Sequence, residues 1–137
     1  MLTISSRGVY GLCAVFELGV VYNRGPIQIR DIAKKHAIPQ HYLEQLLIVL
    51  KRSGLVKSYR GALGGYALAK SPDQIRVLDI LTSLDGKVEM VPEKNRNNAL
   101  NFFWEKIGKK IEDLLKMSLE ELILERRGIE KNYVYNI

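Results

Sequence analysis

Gln40, His41, Glu44 and Gln45, with Lys51 beyond them, surround an apolar stripe made by Leu43, Leu46, Leu47 and Leu50. The spacing of the leucines is that of one helix face, so the polar set falls on the other face. A glutamine carboxamide offers a donor beside an acceptor and can bond adenine twice. A carboxylate accepts from the amino group of cytosine. Glu44 is the informative residue, because a face built only to attract phosphate has no use for a carboxylate. As a base reader it penalises sites that lack a donor. A plain solvated helix face is the ordinary alternative, and these residues by themselves do not exclude it.

A second group follows. Arg60-Gly61-Ala62-Leu63-Gly64-Gly65 lies between two strand-like runs, Leu55 to Tyr59 and Tyr66 to Ala69. The glycines permit positive φ and leave the hairpin tip slender. Arg60 stands at its base, where a guanidinium can enter a narrow, strongly negative minor groove. A phosphate-cradling nucleotide loop is the rival, and it fails because no GK[ST] and no helix start follow.

Charge connects the two groups. Between Gln28 and Lys70 there are 8 Lys and Arg against 2 Asp and Glu, a net +6. The whole chain carries 21 against 15, also +6, so everything outside this segment sums to zero. A compact basic segment is the electrostatic footprint of a phosphate-binding surface.

The elements that must position these residues are legible from periodicity. Ser6 to Tyr22 reads as a helix with Val9, Cys13, Phe16 and Val20 on one stripe, capped by Ser5 or Ser6 and stopped by Gly25-Pro26. A short helix covers Arg30 to His36. Pro39 suits the first turn of the next helix, which Ser53-Gly54 ends. Ser71 to Gln74 is a turn, Ile75 to Val77 a brief extended piece, and Val77 to Leu84 a helix. Lys87 to Asn98 reads as a loop. Leu100, Phe103, Trp104, Ile107, Ile111, Leu114 and Leu115 mark a long amphipathic helix with more apolar surface than a small domain can cover, which predicts a dimer helix. Ser118-Leu119-Glu120-Glu121 has capping-box spacing and starts a last short helix to about Arg126. The aromatic tail, Asn132 to Ile137, is expected to dock on the body, with docking on a partner as the alternative.

Two helices, a short turn and a hairpin make the outline of a winged helix-turn-helix: mainly α with a small β wing. The expected division is a DNA-binding domain over 1–86, a linker over 87–98, and a dimerisation helix, short helix and tail over 99–137. The 137 residues and 47% apolar content suffice for a real core. Cys13 is the one cysteine, so no internal disulfide can form, and a reducing, cytoplasmic setting is expected. It is expected to be a buried core thiol rather than a redox sensor. The apolar amino-terminal run is short and interrupted by Glu17, so no membrane span is expected. His36 and His41 are separated by Pro39, and no metal site is expected. No nucleophile–base pair or acid cluster suggests an enzyme, and no aromatic platform suggests RNA binding.

The motifs S-S-R-G-V-Y-G, H-Y-L-E-Q-L and G-L-V-K-S-Y-R-G-A-L-G-G-Y resemble the Rrf-two family of bacterial winged helix-turn-helix repressors, from Ile4 to Glu125. The resemblance implies a homodimer on partly palindromic promoter sites. It implies base contacts from Gln40, His41, Tyr42, Glu44 and Gln45, a minor-groove contact from Arg60, and phosphate contacts from Ser5, Ser6 and Arg7. Cluster-binding members carry three cysteines before the long helix, and a histidine as a possible fourth ligand. Val88 to Asn101 has no cysteine, and Asn101 stands where that histidine would be, so no iron–sulfur cluster is expected. The chain looks most like the cluster-free, cysteine-metabolism branch, which implies cysteine synthase as a partner. A protein-interaction adaptor that captures such an enzyme without much DNA binding is the rival function. DNA binding that falls steeply with salt discriminates between them.

Overall fold

The computed structural model describes the backbone of residues 3–135 and the side chains of residues 3–132. Its central element is helix α1 (Ser6–Val20), against which helices α2 (Ile29–His36), α3 (Gln40–Arg52), α4 (Val77–Asp85) and α6 (Leu119–Tyr135) all pack. The face of α1 that lies inward is not the expected stripe. Val9 is 47% exposed, and Cys13, Phe16 and Val20 are only partly buried at the margin of the core. The buried line is Gly8, Gly11, Ala14, Val15 and Leu18. Small residues win because they let neighbouring helices come close. A Cβ on Gly11 would collide with Leu84 of α4, and one on Gly19 would sit 2.8 Å from Ile123 Cδ1 of α6.

α2 and α3 are joined by a tight turn. Ala37 takes the left-handed conformation (φ 52°) that ends α2, and the Ile38 amide donates to the Ala33 carbonyl at 2.9 Å. Ile38 is buried in the turn and pins it. Pro39 sits one position earlier than expected, as the N-cap of α3, where its carbonyl accepts from the Leu43 amide at 3.0 Å. Leu43, Leu46, Leu47 and Leu50 are all buried, as their spacing predicts. Removing each such leucine from water contributes roughly 1.5–3 kcal/mol, enough to fix which face of α3 looks outward.

The wing is the antiparallel pair β1 (Val56–Tyr59) and β2 (Gly65–Leu68), in register Val56↔Leu68 and Tyr59↔Gly65. Ile27 extends it on the far side of β2, exchanging two 2.8 Å backbone bonds with Tyr66. The segment that enters α2 is thereby tied to the wing.

The extended piece expected at Ile75 to Val77 pairs with the junction between α5 (Asn101–Leu115) and α6. The Val77 amide donates to the Met117 carbonyl at 3.0 Å, and the Leu119 amide to the Ile75 carbonyl at 2.8 Å. The capping box at Ser118 is present in both directions: the Glu121 amide donates to Ser118 Oγ, and the Ser118 amide to Glu121 Oε2, each at 3.0 Å. Leu119 and Ile123 then enter the same core as α1. α6 is longer than expected, running past Arg126 to Tyr135. The loop over 87–98 holds one 3-10 turn at Glu93–Asn95. α5 is the outlier, with no buried residue. Docking of the aromatic tail concerns residues 133–137, which lie outside the described side chains, while Asn132 is exposed. Among the described residues, no helix is long and apolar enough to cross a membrane.

Candidate nucleic-acid interface

On α3 the structure exposes Gln40, His41 and Gln45 and leaves Glu44 half-buried. They form a polar face because the leucines on the opposite side are committed to the core. His41 is solvated, with Nδ1 3.9 Å from Glu44 Oε2 one turn on. Tyr42 is different: it is half-buried, and its ring meets Tyr10 of α1 edge-on at 5.9 Å. That contact joins α3 to α1 and leaves Tyr42 partly exposed.

Lys51, at the far end of α3, donates from Nζ to Ser58 Oγ at 2.7 Å. It ties the helix to β1, so helix and wing are held in one orientation. Arg60 is exposed at the start of the wing tip. Between wing and helices lies an open concavity of about 460 Å³, lined among others by Gln28, Arg30, Gln40, Ser58, Arg60 and Tyr66. Two guanidinium residues and the leading glutamine of α3 thus share one hollow. A duplex strand passing between α3 and the wing would meet Arg30 and Arg60 there. On the wing strand, Lys57 Nζ lies 5.6 Å from the Tyr59 ring centre. Interaction with the Tyr59 hydroxyl raises the pKa of Lys57 above the ordinary lysine value.

Arg30 and Gln28 were not singled out from the sequence. Gln28 donates from Nε2 to the Ala62 carbonyl at 2.9 Å and braces the tip. Neither residue lies near Arg60 in the chain. Only the basic count over Gln28 to Lys70 pointed to Arg30, and nothing pointed to Gln28.

Ser5, Ser6 and Arg7 do not line this hollow. They open α1, beside the end of α4. The Ser5 hydroxyl already accepts from the Gly8 amide at 3.4 Å and donates to Asp85 Oδ1 at 2.5 Å. Ser6 and Arg7 are exposed.

Two other groups were candidates for chemistry. Cys13 is partly buried, and its pKa is raised, first by burial and then by the nearby Glu17 carboxylate. It is a protonated, weakly nucleophilic thiol at neutral pH. Glu17 is itself a buried carboxylate, which composition alone did not reveal. It receives Lys35 Nζ at 3.1 Å and lies 2.9 Å from His36 Nε2. These basic residues close α2 at its carboxy-terminal, negative end, so Glu17 joins α1 to a helix end already suited to cations. His36 is thus engaged in structure. No group of three His, Cys, Asp or Glu suited to a metal occurs among the described residues.

The stretch over 88–101 lines an open concavity of about 420 Å³ against α5 and carries polar pairs of its own. Arg96 pairs with Glu89 at 2.9 Å, and Asn101 donates to Glu105 at 3.0 Å. It presents amides, carboxylates and a guanidinium, and no thiol. Those donors do not match an iron–sulfur cluster.

Comparison with known proteins agrees with this geometry. Residues 4–125 match the family described as "Rrf2: Iron-dependent Transcriptional regulator". The chain is 36% identical to the HTH-type transcriptional regulator CymR of Bacillus subtilis over 138 residues, which cover 99% of this chain and 100% of that protein. The solved structure of CymR, the global cysteine regulator of B. subtilis, superposes with a TM-score of 0.83 at 38% identity, covering 91% of this chain and 98% of that one. T. potens IscR follows with a TM-score of 0.79 at 37% identity, covering 91% and 88%. These proteins are transcriptional regulators rather than enzymes. With a winged helix-turn-helix whose exposed helix face and wing flank one basic hollow, the chain belongs to the Rrf2 family of DNA-binding transcriptional regulators.

Proposed function

We propose that the protein is a repressor that acts as a homodimer on partly palindromic promoter sites, in genes of cysteine or sulfur metabolism. The observation that carries the DNA half of this reading is the shared hollow of Gln40, Arg30 and Arg60 between α3 and the wing. Gln40, His41, Glu44 and Gln45 supply base preference in the major groove. Arg60 enters the flanking minor groove, and the surrounding lysines and arginines supply salt-dependent affinity.

The homodimer rests on α5. Leu100 (59% exposed), Phe103 (41%) and Leu114 (76%) lie exposed on one stripe with Ile107 and Ile111, which are only partly buried. A second copy laid along this stripe buries it on both sides, which is the isologous contact of a two-fold dimer. Two reading heads then address half-sites about one helical turn, 34–36 Å, apart.

The signal does not come through an iron–sulfur cluster in this reading, because the 88–101 stretch lacks every ligand thiol. It arrives through a protein partner, and resemblance to the cysteine-metabolism branch makes cysteine synthase the partner to test. Relatedness to CymR, titled a global cysteine regulator, supports the choice of pathway.

Selection of bound duplexes from a random pool tests the central claim. The expected result is an enriched two-fold sequence with half-site centres one turn apart. A pool that stays random after several rounds overturns base reading, and a single asymmetric site overturns the dimeric arrangement.

A further inference from the structure

The tip of the wing carries one large side chain, and it is apolar. Leu63 is 92% exposed, more than any other large hydrophobic residue described. Its backbone is held so that the side chain has nowhere to fold back. Gly61 has φ of 96°, and the Gly64 amide donates to the Gly61 carbonyl at 3.0 Å to close the turn. A Cβ on Gly64 would run into the Tyr59 carbonyl oxygen and stand 2.8 Å from the Arg60 carbonyl carbon. Gly65 (φ 140°) is backed just as closely by the Ile27 carbonyl. Gln28 holds Ala62 from the side. Backbone and brace together present Leu63 outward beside Arg60.

A single exposed leucine is unremarkable on a flat surface. Here it is the end of a rigid, narrow projection. Among the other exposed large apolar residues, Phe102, Leu114 and Ile129 lie on α5 and α6, Ile4 just before α1, Val9 on α1, and Tyr59 on β1. The tip has Pro26, Ile27 and Ala62 as apolar neighbours, in an open hollow shared with Gln28, Arg30 and Asp31, and a protein partner would need a broader apolar patch. The tip also has a cationic residue at its base and the basic hollow behind it. An apolar tip with a flanking cation fits a groove whose walls are phosphate and whose lining is deoxyribose carbon and base edge. The minor groove is about 6 Å wide and accepts apolar side chains of this kind.

We propose that Leu63 is a minor-groove contact residue. It packs on the sugar and base walls while Arg60 engages the negative potential of the same groove. This rests on the DNA-binding role of the wing proposed above. The contact is uncharged, so it adds affinity without releasing counterions, and its signature differs from that of Arg60.

The test is titration of the full chain on the duplex recovered by selection, at several salt concentrations, with hydroxyl-radical footprinting of the sugars. Leu63→Ser should bind about tenfold more weakly at every salt, the loss expected for one apolar side chain left in water. Its slope of log affinity against log salt should equal that of the parent. Protection of the minor-groove sugars under the wing tip should weaken, and Leu63→Met should restore both affinity and protection. Arg60→Ala should reduce the salt slope by about one. Equal affinity and footprint for Leu63→Ser and the parent overturns the role of Leu63 while leaving DNA binding intact. A parent that prefers no duplex overturns the function reading itself, and this inference with it. An equal thermal midpoint for Leu63→Ser, expected because the side chain is 92% exposed, shows that any loss is not one of folding.

Discussion

Glu44 holds a carboxylate on a surface that is otherwise cationic, half-buried beside His41. Removing it takes away repulsion of phosphate together with any penalty against sites that lack a donor. Glu44→Ala should therefore bind random duplex as well as the parent, or better. Its preference for the selected site over single-base variants should shrink by roughly 1–3 kcal/mol at the position it reads. Unchanged preference across all such variants would exclude base reading by this residue. Cys13 makes a prediction of opposite kind. Burial and Glu17 raise its pKa, so the folded state holds the thiol proton more tightly than the unfolded chain does. The stability this contributes is complete below the ordinary thiol range and fades as pH rises through the raised pKa. Alkylation by iodoacetamide at pH 8 should be slower than for free cysteine and should accelerate on unfolding. Equal rates before and after unfolding would refute the protected thiol. Which side chains face outward on α3 was legible because four leucines claimed the other side. Gln28 and Arg30 were not, since the fold alone brings them to Arg60. Nor was the edge-on packing of Tyr42 on Tyr10 legible, since it joins residues of two helices far apart in the chain.

Among the elements, the wing and the helix-turn-helix were readable from alternation, glycine and proline. α1 was misjudged for a physical reason. Periodicity gives weight to bulky residues, whereas this helix buries its small ones so that α4 and α6 can approach. α6 was underestimated because its later residues carry no apolar stripe. Strong helix formers and the Arg126–Glu130 pair at 3.2 Å, one turn apart, carry it through Gly128. Its start, by contrast, was given by the capping-box spacing. Ser118→Ala removes the acceptor for the Glu121 amide beside the fully buried Leu119, and should cost about 1 kcal/mol of stability. Chemical denaturation should show a lower midpoint at constant slope. A midpoint equal to the parent's would mean that the cap is replaced by water without loss.

At the scale of the molecule, the winged unit packs its own core while α5 leaves its stripe open. Leu114 is 76% exposed and lies outside the core, so Leu114→Lys should fold normally. Sedimentation should nevertheless find it shifted toward monomer, with operator affinity falling as the second half-site is lost. A variant that sediments as the parent does would remove α5 from the interface. The amphipathic pattern made this helix visible in the sequence. What hid its attachment was distance along the chain, because the bonds from Ile75 and Val77 to the far end of α5 join residues about forty positions apart.

Those bonds make the whole stretch from α4 through α5 an excursion whose two feet stand together. Lengthening, shortening or rewriting the loop over 87–98 leaves both feet where they are. The segment can therefore vary in length and sequence like a detachable fitting, while the winged unit that carries α3 keeps its architecture.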